Sequence, residues 1–120
     1  MAAADAPGAG GAEMKLDLFR DEDGAPRARG RGRYARLAAY LESDVQGSRT
    51  LLRRIARALD AVEAGREERW EHTGNAHTLT LTRRGARIEC EVEEGEPAEV
   101  TLADLRTALG WWEELLGASA

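Results

Sequence analysis

From residue 14 onward the chain switches between two hydrophobic periods. Met14, Leu16 and Leu18 are separated by Lys15, Asp17 and Phe19, a two-residue alternation that predicts a strand over 14–19. Asp23–Gly24 is the tightest turn signal after it, and a short return strand is expected through 26–31. The period then lengthens. Leu37, Tyr40 and Leu41 share one face at helical spacing and predict a short helix over 35–44. Gly47 breaks it, and Ser48 is placed to cap the next helix. In "RTLLRRIARALDAVEAG" (49–65) Leu51, Leu52, Ile55, Leu59 and Val62 form one apolar stripe. Arg49, Arg53, Arg54 and Arg57 lie on the other faces, and Gly65 supplies the stop.

The two-residue period returns in "RWEHTGNAHTLTLTRRGARIECEVEEGEPAEV" (69–99). Trp70 and His72 point one way, with Arg69, Glu71 and Thr73 the other, and Gly74–Asn75 marks a tight hairpin turn. Leu79 and Leu81 are expected inside, with Thr78, Thr80 and Thr82 on the wet side. After the Arg84–Gly85 turn, Ile88, Cys90 and Val92 are expected to face the core, with Arg87, Glu89 and Glu91 facing water. "AEV" (98–100) reads as a short last strand. Thr101 caps a closing helix, with Asp104 completing a capping-box pattern, and Leu102, Leu105, Leu109, Trp112 and Leu116 form its buried stripe. The order of elements is that of an α+β fold: an antiparallel meander sheet of about four to six strands with two or three helices packed on one face. Residues 1–13 read as a disordered Ala/Gly tail and 14–117 as a single domain.

Length and composition narrow the function classes. The 120 residues suffice for one domain with its own core and not for two. A single cysteine, Cys90, excludes an intramolecular disulfide or a multi-cysteine zinc site and fits a reducing compartment. The alanine-rich start has no basic n-region or Leu/Ile/Val run, and no apolar segment approaches the length of a membrane span, so a cytoplasmic protein without membrane contact is expected. The net charge of −5 is unevenly spread: residues 67–120 hold twelve acids against five bases. That imbalance argues against a nucleic-acid partner, which needs a basic footprint, and for a cationic protein.

The acids crowd at one place. Glu89, Glu91, Glu93, Glu94, Glu96 and Glu99 fall within eleven residues. On a continuing strand Glu89, Glu91 and Glu93 share one face about 7 Å apart. A solvated edge that discourages sheet-to-sheet aggregation is the plain reading of such a run. The functional reading is a partner-binding face, with Glu68, Glu71 and Asp104 as neighbours and Trp111 as an apolar anchor. Catalysis by paired carboxylates requires one raised pKa in a protected cleft, and calcium requires a looped oxygen array that "ECEVEEGEPAE" does not match. His72 and His77 flank the hairpin turn and read as a surface or half-buried pair lying across the hairpin; two histidines without a third ligand make a poor zinc site. Cys90 reads as a small buried hydrophobe. No catalytic residue, metal or cofactor is expected, and the helix arginines, with "RARGRGR" (27–33), read as solvated faces or as weak RNA contacts.

The succession "LFRDEDG", "YLESDV", "LLRRIARALDAVEAG", "WEHTGNAHTL" and "RIECEV" resembles the YacL-like family of small bacterial proteins over roughly 14–116. The resemblance implies kinship with immunity proteins of polymorphic-toxin and contact-dependent growth-inhibition systems. The expected function is then a non-enzymatic module that neutralises a basic, nuclease-type toxin through its acidic face. The alternative is a housekeeping structural or regulatory protein, with a homodimer among its forms.

Overall fold

A computed structural model describes residues 14–117; the tail reading for 1–13 lies outside them. The elements follow in the order β1 (Leu16–Arg20), β2 (Pro26–Gly30), α1 (Tyr34–Tyr40), a π-helical turn (Leu41–Val45), α2 (Arg49–Glu63), β3 (Arg69–Thr73), β4 (His77–Thr82), β5 (Gly85–Cys90), β6 (Ala98–Val100) and α3 (Leu102–Gly117). Among the described residues the class is α+β, with three α-helices. The strands divide into two antiparallel sheets: the hairpin β1–β2, and a four-strand meander in the order β3-β4-β5-β6.

Register decides which face of the meander is buried. Trp70 lies opposite Leu81 and His72 opposite Leu79. Leu79 and Leu81 lie opposite Ile88 and Ala86, which in turn face Ala98 and Val100. Directly opposed residues share a face, so these side chains form the inner layer. α1 and α2 pack on it, and α3 reaches β5 while bridging α2 and β1. Leu37, Tyr40, Leu41, Ile55, Leu59, Leu105 and Trp112 fill the space between helices and sheet without solvent exposure.

The ends of the helices follow local chemistry. Ser48 accepts from the Leu51 amide at 3.1 Å, satisfying one of the four open donors at the start of α2. Gly65, at φ +79°, supplies the left-handed turn after it. Thr101 accepts from the Asp104 amide at 2.9 Å, yet the reciprocal half of the box does not form, because the Asp104 carboxylate instead takes the Tyr34 hydroxyl at 2.8 Å. At the far end of α3, Arg20 donates to the carbonyls of Leu115 (2.6 Å) and Leu116 (3.5 Å), where the helix dipole favours a cation.

Several expectations on side-chain direction are corrected. β5 ends at Cys90, and the chain leaves the sheet through bends, so Val92 does not reach the core; it is 69% exposed. Cys90 is only half-buried. Thr78 and Thr80 do point away from the helices, but they are buried, because longer side chains on the flanking strands fold over the central strand. The expected 35–44 helix is α1 followed by the π turn, which ends at Gln46 with φ +50°.

Candidate protein-binding face

Two carboxylate sites of opposite character lie at the same end of the meander, where the β3–β4 hairpin and the chain leaving β5 meet. The first is closed. Asp44, in the π turn, aims its side chain at the hairpin: Oδ2 accepts the backbone amides of Ala76 and His77, each at 3.0 Å, and Oδ1 takes His77 Nδ1 at 2.8 Å. Ser43 Oγ adds a bond to Oδ1 at 2.5 Å, and Asn75 Nδ2 reaches the Ser43 carbonyl at 2.8 Å. Burial by itself would raise the pKa of Asp44. The hydrogen bonds from Ser43, His77 and the two amides outweigh it and hold the carboxyl below its ordinary value. Gly74 is required here by space: a Cβ would stand 2.5 Å from Asp44 Oδ2. The register sets His72 opposite Leu79, so the two histidines do not face each other; His72 stacks on Trp70, and His77 is buried at 3% exposure.

Serine, aspartate and histidine together invite comparison with a nucleophilic triad. The geometry is different. A triad presents the far ring nitrogen to the serine and the near one to the carboxylate. Here Ser43 Oγ (3.3 Å) and Asp44 both approach Nδ1, while Nε2 is buried. The Tyr40 ring meets His77 edge-on at 6.0 Å, and burial, with the Asp44 charge, pushes the Tyr40 hydroxyl pKa upward. This cluster is a clasp that fastens the hairpin to the π turn.

The second carboxylate site is open, and it is smaller than the sequence suggests. Glu71, Glu89 and Glu99 lie on the outer face of the sheet, where the molecule's own arginines engage them. Arg69 holds Glu71 at 3.1 Å; Arg87 stands 3.3 Å from Glu99 and 3.8 Å from Glu89. Glu71 also takes the Thr80 hydroxyl at 3.3 Å. Thr78 donates to Glu91 at 2.7 Å, which leaves the Thr73 hydroxyl, 2.8 Å away, to donate to Thr78. Asp104 is joined to Tyr34 at the start of α3, and burial together with that bond raises the tyrosine pKa. Trp111 is half-buried and packs against the core. Glu68 is exposed in the bends before β3.

Glu93, Glu94 and Glu96 remain. All three are exposed in the β5–β6 connection, none enters an ion pair among the described residues, and Glu91 lies exposed at the start of the same segment. Because the strand ends at Cys90, the expected alignment of Glu89, Glu91 and Glu93 on one strand face does not occur. Arg36 of α1 tempers the loop from one side: a Cβ on Gly95 would stand 3.0 Å from its guanidinium. The residues expected to form one face are divided. Glu91, Glu93, Glu94 and Glu96 follow one another along the exposed β5–β6 connection, the acidic rim; Glu71, Glu89 and Glu99 lie on the adjoining sheet face in paired form; Asp104 and Trp111 sit on α3. Among the described residues no group of three or more His, Cys, Asp or Glu side chains is arranged to hold a metal ion, and no helix is long and apolar enough to cross a membrane.

The architecture is that of a helix-covered antiparallel meander with an acidic loop at one end. No family model, curated protein or solved structure matches the chain.

Proposed function

We propose that this chain is a non-enzymatic protein-binding module whose acidic rim, Glu91, Glu93, Glu94 and Glu96, docks on a basic protein, and that it serves as an immunity protein against a nuclease-type toxin. The observation that carries the reading is the state of the rim. Like charges at this density repel each other, and the arginines that neutralise the sheet-face glutamates stop short of Glu93 and Glu94. A cationic surface relieves that repulsion. A nuclease presents one at its phosphate-binding cleft, and four glutamates on a short loop imitate the charge of the phosphates it binds. Opposite fields also accelerate encounter, from about 10⁵–10⁶ M⁻¹s⁻¹ for neutral partners toward about 10⁸ M⁻¹s⁻¹ or more at low salt. The resemblance to the YacL-like family favours the immunity role, and the inaccessible His77 and Asp44 favour a binding role over catalysis.

The experiment is co-purification of the tagged chain with the product of the adjacent reading frame, followed by growth rescue. The expected result is recovery of a basic protein that arrests growth when expressed alone and is tolerated when co-expressed with this chain. Recovery of no such protein, or a toxin that this chain does not neutralise, overturns the reading.

A further inference from the structure

A second surface of the molecule carries the charge opposite to that of the acidic rim. The solvent side of α2 carries Arg49, Arg53 and Arg57 at four-residue spacing, about 6 Å apart along the axis, and all three are exposed. Like charges at that spacing work against a helix. The acid at helical spacing from the row, Asp60 three residues after Arg57, is engaged by Arg106 of α3 at 3.1 Å, which also takes Glu63. Beside this row, α2 and α3 enclose a groove of ≈ 200 Å³. Its floor is apolar, formed by Leu52, Leu59 and Leu109. Small residues, Ala56 and Gly110, leave it open; a Cβ on Gly110 would meet nothing within 4 Å. Arg53 and Arg106 stand on its rim, with Glu113 also lining it.

The β5–β6 connection carries the opposite pattern. Val92 is 69% exposed, the one large exposed hydrophobic side chain among the described residues, and it sits between Glu91 and Glu93 with Glu94 next. An apolar knob with an acidic collar thus occurs on the same chain as an apolar groove flanked by the exposed arginine row of α2.

We propose that the groove receives the Val92 segment of a second copy of this chain, with Glu93 and Glu94 meeting Arg53 and Arg57. The two surfaces are different patches, so the contact is head-to-tail and leaves a free knob and a free groove at the ends of each assembly. It uses the loop assigned above to a basic partner, so that partner and the second copy compete for it. The pairs are solvent-facing, which makes the association weak and sensitive to salt.

The test is sedimentation equilibrium of the full chain up to about 1 mM, in low salt (about 20 mM) and in high salt (about 500 mM). The expected result is an apparent mass that climbs above the monomer with concentration in low salt and returns to it in high salt. Val92→Ser, which removes the knob, and Gly110→Leu, which fills the groove, each weaken association at least tenfold; circular dichroism checks that both remain folded. The reversals Arg53→Glu/Arg57→Glu and Glu93→Arg/Glu94→Arg are each monomeric alone and associate when mixed. A wild type that stays monomeric throughout, or reversals that fail to restore association on mixing, overturns the proposal. The arginine reversal keeps the rim intact, so its unchanged binding to the basic partner separates this proposal's failure from failure of the function proposed above.

Discussion

Asp44 and the glutamates of the β5–β6 connection are chemically alike and lie at one end of one sheet, yet they are used in opposite ways. Asp44 is buried, and its carboxylate is met by Ser43, His77 and two backbone amides. Glu93, Glu94 and Glu96 meet water. Satisfied carboxylates inside a protein hold it together; unsatisfied ones outside contribute little to folding and are free for another molecule. The contrast separates stability from the binding proposed for the rim, and each half can be broken independently.

The largest effect belongs to the clasp. Asp44→Ala leaves the buried His77 amide and ring and the part-buried Ala76 amide without their acceptor, and a loss of about 3–5 kcal/mol in urea-unfolding free energy is expected. Gly74→Ala drives a methyl group into the same carboxylate and costs about 1–3 kcal/mol by the same measurement. Acid sharpens the comparison. The folded Asp44 pKa lies below its unfolded value of about 3.9. Its contribution is therefore complete above that value and is lost as the pH falls through the folded pKa. Urea-unfolding free energies measured from pH 6 to pH 2 should decline more steeply below about pH 4 in the wild type than in Asp44→Asn. The smallest stability effect is expected at the rim. Converting Glu91, Glu93, Glu94 and Glu96 to glutamine shifts the unfolding free energy by no more than about 0.5 kcal/mol. Even the Thr78 bond survives this change, because the amide oxygen of a glutamine at position 91 can still accept it.

Much of the fold is legible in the residues. The Leu51 to Val62 stripe, the Ser48 cap and the Gly74–Asn75 turn each rest on a local rule, and each is found in place. The errors arise where a local rule meets a neighbour. Alternation puts Val92 inside, but β5 loses its partner strand before Val92 is reached, and an unpaired strand has nothing to hold its period. Alternation puts Thr78 and Thr80 in water, but a central strand flanked by Glu71, Arg87 and Glu91 is covered by their length. The acidic face is legible as composition and overstated as geometry. Arg87 meets Glu89 two residues along its own strand, but it stands beside Glu99 only because β5 and β6 pair as they do. The clasp is not legible. Ser43–Asp44 and His77 lie far apart in the chain, and no periodicity announces that one will accept the amides of the other. The signals available are a glycine at 74 with a carboxylate at its shoulder and an aspartate in the turn between α1 and α2, and both acquire meaning only with the contact in view.

Whether the rim docks a partner while the clasp supports it is decided by association kinetics. The rate constant for binding the co-purified basic protein is measured across a range of ionic strength for the wild type and for the folded variant with glutamine at 91, 93, 94 and 96. If the rim docks the partner, the variant associates at least about tenfold more slowly at low salt, with a flatter salt dependence and an unchanged thermal midpoint. An association rate and a salt slope identical to those of the wild type would contradict docking through the rim.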